Sequence, residues 1–147
     1  MKPVWIVVAN GFQAQLYERA RPRDALQPLA SFVHPESRLK SGELNEDQLG
    51  RRRAAVGRNP ASYSPQTDPK EKEHERFARQ IAQYLDQGTR DDRVAGVMLF
   101  ASPQMLGTIR EVLDPHTAQR IRHSAAIDLT GCNGRELEAR IAQQLSV

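Results

Sequence analysis

Six consecutive residues near the start, Val4-Trp5-Ile6-Val7-Val8-Ala9, are apolar and rich in β-branched side chains. A run that short and unbroken predicts a strand covered on both faces, and so a central one. Asn10-Gly11 follows at once and predicts a type I′ turn, because both residues tolerate positive φ. Phe12, Ala14 and Leu16 then alternate with Gln13, Gln15 and Tyr17, the two-residue period of a strand returning antiparallel to the first. After the turn-like Arg21-Pro22-Arg23-Asp24, Leu26 to His34 favours a third extended segment, which Pro28 confines to an edge or an early strand position.

Periodicity stops between Pro35 and Thr67, where Leu39, Leu44, Leu49 and Val56 are the only large aliphatics among charges, glycine and proline. Residues 36–67 are expected to be a long loop, either functional or disordered. Asp68-Pro69-Lys70-Glu71 then predicts a helix start, with Asp68 as cap, Pro69 at the first position and Glu71 closing a capping box. Phe77, Ile81 and Leu85 recur at four-residue steps beside Ala78 and Ala82, leaving a charged, solvated opposite face. Gly88 is placed to end the helix in the left-handed conformation.

Val94 to Ala101 is a second apolar run and predicts another central strand, feeding Ser102-Pro103 as cap and first helical residue. Leu106, Ile109 and Leu113 mark the inner face of the helix that follows, which stops near Asp114-Pro115. Ile121 to Leu129 supplies a last strand, and Asn133-Gly134-Arg135-Glu136 caps a final helix with Leu137, Ile141 and Leu145 inward. The order βββαβαβα predicts an α/β fold of ribonuclease H-like type: a mixed five-stranded sheet with helices packed on it, in one domain over 1–147.

Composition narrows the function classes. The chain has 147 residues and one cysteine, Cys132, which excludes disulfide scaffolds and multi-cysteine zinc modules and suits the cytoplasm. No apolar run approaches the roughly 20 residues of a membrane-spanning helix, and no export signal is visible. Lys and Arg number 21 against 18 Asp and Glu, and 17 of the 21 are arginine, a bias compatible with phosphate binding or with codon usage alone.

A two-metal nuclease on this fold needs carboxylates from the first and fourth strands and the first helix. The first strand ends in Ala9-Asn10 and the fourth in Ala101-Ser102, so neither supplies one. Glu71, Glu73 and Glu75 are read as stabilising a helix N-terminus and meeting solvent. His34, His74, His116 and His123 lack metal-ligand spacing, so no metal and no cofactor is expected. Arg51-Arg52-Arg53, with Arg58 behind them and Arg38 ahead, gather positive charge of the kind that contacts phosphates without reading sequence. Catalysis, if any, would fall to His34, Gln66 and Asp68, where the loop meets the sheet, with His34 as general base.

Taken together, Trp5 to Gly11, His34-Pro35-Glu36-Ser37-Arg38, Glu43-Leu44, Gly50-Arg51, Asp68-Pro69, Arg76-Phe77-Ala78-Arg79 and Asp128-Leu129-Thr130 resemble the bacterial host attachment protein family. That family often has aspartate where this chain has Asn10, which points to a turn role for the position. The family is similar in turn to the middle domain of the archaeal and eukaryotic class-one peptide release factor, which shares an Arg-Phe-Ala-Arg run and acts on the ribosome. The Gly-Gly-Gln loop of that factor is absent, and Lys72 stands where its glutamine would lie. The resemblance implies a cytoplasmic, non-catalytic binding protein that contacts ribosome or RNA through its basic loop. The alternatives are a ribosome-linked hydrolase or degenerate nuclease, and a protein-interaction adaptor with an indirect role in attachment.

Overall fold

The computed structural model describes residues 2–34 and 69–146. Along the chain, β1 (Val4–Ala9), β2 (Gln13–Arg19) and β3 (Gln27–Val33) precede α1 (Pro69–Arg90), β4 (Gly96–Ala101), α2 (Pro103–Val112), α3 (Pro115–Ala118), β5 (Ile121–Ala126) and α4 (Gly134–Leu145). The strands form one mixed sheet in the order β3-β2-β1-β4-β5. β1 pairs antiparallel with β2 and parallel with β4, so the two apolar runs occupy adjacent inner positions. Pro28 lies in β3, at the edge, where a missing N–H interrupts no further pairing. The element order is the expected one with α3 added, a four-residue helix too short to produce a period.

Alternation along β1 sorts the core into two layers. Trp5, Val7 and Ala9 meet Phe77, Ala78, Ile81, Ala82 and Leu85 of α1, with Met105 and Ile109 of α2. Ile6 and Val8 face the other way, onto Phe100, Leu129 and the α4 residues Leu137 and Ile141. Burying each large aliphatic or aromatic side chain contributes about 1.5–3 kcal/mol, so the helical stripes, rather than helix propensity, hold α1 and α4 in place. On α2 the buried positions are Met105 and Ile109, with Leu106 only partly covered. Asp86, near the end of α1, accepts hydrogen bonds from the Thr117 hydroxyl at 2.5 Å and the Asp114 N–H at 3.2 Å. This tie binds α3 against α1.

Several local expectations are corrected. Neither Asn10 nor Gly11 has positive φ, so the hairpin is not type I′; Asp92 and Gly134 are the left-handed residues among those described. The Asn10 side chain shapes the turn instead, its Oδ1 accepting from Phe12 N–H at 2.8 Å and Gln13 N–H at 3.0 Å. Gly88 does not end its helix, since α1 continues to Arg90. A Cβ at Gly88 would collide with the Trp5 indole, so close approach explains the glycine. Ser102 and Asn133 do occupy N-cap positions, but neither side chain makes a capping hydrogen bond. The proposed Asp68 cap and the 36–67 loop lie outside the described residues.

Candidate functional site

In sheets of this kind ligands gather at the carboxyl ends of parallel strands, where the chain passes from one side of the starting strand to the other. Here that point lies between β1 and β4 and is marked by Asn10 and Ser102, the residues that follow the two strands. Asn10 donates through Nδ2 to Asp128 Oδ2 at 3.1 Å and to Thr130 Oγ1 at 2.9 Å, joining the start of the hairpin to the segment between β5 and α4. Asp128 Oδ1 accepts from the Thr130 N–H at 2.9 Å and the Thr130 hydroxyl at 2.6 Å. Burial works against charge on Asp128, but these bonds from Thr130, with the one from Asn10, outweigh it and hold the carboxyl below its usual range.

On the other face of the sheet, the His74 ring lies against Gly11, where an added Cβ would come within 2.5 Å of its Nε2. A second polar tie stands beside it. His34, 8% exposed at the end of β3, shares a 2.7 Å hydrogen bond between its Nε2 and Glu73 Oε2, and its ring stacks on Phe77 with centroids 5.1 Å apart. The His34 backbone N–H also donates to the Phe12 carbonyl at 2.8 Å. The end of β3, the β1–β2 turn and the second turn of α1 are thereby drawn together.

These bonds tie the hairpin to the segment between β5 and α4, and β3 to α1. Asn10 uses both amide hydrogens and both acceptor positions within the fold, its full capacity. The Nε2 of His34, the expected general base, is engaged by Glu73. Ser102 contributes a part-buried hydroxyl with no hydrogen bond to any described residue. No group of three or more His, Cys, Asp or Glu side chains among the described residues could hold a metal ion. Gln66, Asp68, Arg38, Arg51, Arg52, Arg53 and Arg58 lie outside the described residues, so His34 is the one sequence-chosen candidate given a place here.

Glu73, read from sequence with Glu71 and Glu75 as a solvated carboxylate at the helix start, is instead buried at 4% exposure. It stands four residues before Phe77, on the Phe77-Ile81-Leu85 stripe, and that spacing already puts it on the buried side of α1. Of the run Arg76-Phe77-Ala78-Arg79, the inner pair is buried, while Arg76 and Arg79 reach back to Glu73 at 3.4 Å and Glu75 at 2.8 Å.

A family model described as "Protein required for attachment to host cells" matches residues 5–141. The chain belongs to this host attachment family. The matched span begins at Trp5 on β1 and closes at Ile141 on α4, so both layers of the host attachment core fall inside it. No curated protein matches the chain. No helix among the described residues of this host attachment protein is long and apolar enough to cross a membrane.

Proposed function

We propose that this host attachment protein is a non-catalytic binding module of the cytoplasm that grips the phosphates of ribosomal or other RNA through Arg38, Arg51, Arg52, Arg53 and Arg58. The observation that carries this reading is the His34–Glu73 tie. It joins His34 and Glu73, described residues that stand on either side of the arginine-rich stretch in the sequence, beside the β1–β2 turn. The resemblance of the Arg76–Arg79 run to release factors supports a ribosomal setting. The saturated hydrogen bonding of Asn10 and the engaged His34 support binding over hydrolysis.

The test is co-sedimentation of the purified protein with ribosomes over a salt series. Pelleting is expected to weaken steeply with salt, and Arg51/Arg52/Arg53→Glu is expected to flatten the logarithmic slope by roughly two to three. Glu73→Ala, with every arginine retained, is expected to weaken pelleting by cutting the tie. No pelleting even at low salt removes the ribosome from the account. A second reading, a protein-interaction adaptor, draws support from β3, an edge strand on which Val33 is 62% exposed. Salt-insensitive capture of a protein partner would favour it.

A further inference from the structure

At the end of the sheet opposite Asn10, the starts of β1 and β4 and the end of β2 border a cavity of about 320 Å³. Val4 lies at its base, paired with Arg19 on one side and Gly96 on the other. Val4 and Met98 belong to the α4-side layer but are only partly buried, whereas Ile6, Val8 and Phe100 further along are fully covered. The result is an apolar floor left open at one end of a closed layer.

Lys2, Arg19, Arg21 and Arg122 line the same cavity, and no acidic residue among those described does. Lys2 is paired with Asp92, which lies outside the lining. Arg19, Arg21 and Arg122 have no ion-pair or hydrogen-bond partner for their side chains among the described residues. Arg122 lies flat across Gly96, so close that a Cβ there would collide with it. Glycine at this β4 position is what lets the guanidinium stem cross the strand.

We propose that this cavity binds a nucleoside monophosphate, with the phosphate on the Arg19, Arg21 and Arg122 guanidiniums and the base on Val4 and Met98. Three guanidiniums lining one cavity place like charges around it that an anion would offset, and a planar guanidinium fork matches phosphate oxygens. A single carboxylate would leave excess positive charge, and inorganic phosphate alone would leave the floor wet. The volume lies at the small end of the range for organic ligands, about 300–1,000 Å³, and a methionine thioether packs well against an aromatic ring. The site shares no residue with the arginine-rich stretch, so it stands or falls separately from the RNA reading.

Calorimetric titration of the full chain tests it, with adenosine monophosphate and uridine monophosphate as probes and inorganic phosphate and adenosine as separate arms. Both nucleotides are expected to bind, and each half-ligand to bind at least about tenfold more weakly. Arg19→Ala and Arg122→Ala are each expected to reduce affinity about tenfold or more, the effect of losing a hydrogen bond to a charged group. Gly96→Ala keeps every cation but displaces Arg122, and is expected to weaken binding as well. Arg79→Ala removes one charge from the solvated face of α1 and should leave the affinity unchanged. Far-UV circular dichroism of each variant separates lost binding from lost fold. The proposal is overturned if neither nucleotide binds, if inorganic phosphate binds as tightly as either, or if Arg79→Ala weakens binding as much as the pocket variants do.

Discussion

Asn10 shows how one side chain can settle what a sequence motif leaves open. Asn-Gly is read from sequence as a positive-φ turn, yet the amide oxygen of Asn10 organises the turn and its amide nitrogen reaches Asp128 and Thr130. Asp at this position would keep the acceptor, lose both donors, and set a second carboxylate against Asp128. Asn10→Asp is expected to cost about 1–3 kcal/mol at neutral pH. The pH dependence separates the two proteins. Asp128 in the native chain is held below its usual range, so it contributes stability above that range that is lost as pH falls through its folded value. In Asn10→Asp the carboxyl pair is forced to hold a proton, so acid relieves the repulsion instead. Thermal melts at pH 7 and pH 4 should show the gap in Tm between the two proteins narrowing on acidification; a constant gap would rule out the carboxylate pair.

At the scale of elements, glycines in two helices make opposite predictions. Gly88 in α1 and Gly107 in α2 are both helical, so alanine should gain roughly 0.5–1 kcal/mol of propensity at each. An added Cβ at Gly107 meets nothing within 4 Å, and the gain should appear in full as raised stability in urea melts. At Gly88 it strikes the Trp5 indole, and overpacking of about 1–3 kcal/mol should outweigh the gain. The contrast explains why the sequence misleads at Gly88: a glycine near the end of a periodic stretch looks the same whether it caps the helix or makes room for a ring. The long elements were legible because period 2 in β2 and the four-residue steps of α1 each run for several repeats. Glu73 was legible by the same spacing, but its charge argued for solvent, and its partner His34 is 39 positions away.

For the whole molecule, the two layers are unequal. α1 and α2 cover one face with Phe77, Ile81, Leu85, Met105 and Ile109, and Asp86 adds its tie to α3; α4 holds the other face through Leu137 and Ile141. Amides of α4 are therefore expected to exchange through openings about 2 kcal/mol or more below those of α1 and β1, which native-state hydrogen exchange can check. The same inequality leaves the Val4–Met98 floor open, a feature no periodicity announces, since Arg19, Arg21 and Arg122 come to line one cavity only through the register of separate strands and their flanks. The arginine-rich stretch was legible as charge, and the His34–Glu73 bond between residues on either side of it was not. The chain has a single tryptophan, and Trp5 sits against Gly88 on the α1 side, 5.4 Å from the Tyr84 ring and with the Arg93 guanidinium 5.4 Å above it. Tryptophan emission, excited selectively over tyrosine, is thus a one-seam instrument: it watches α1 undock and is blind to α4 peeling away, so emission and far-UV dichroism will trace different curves wherever α4 leaves first.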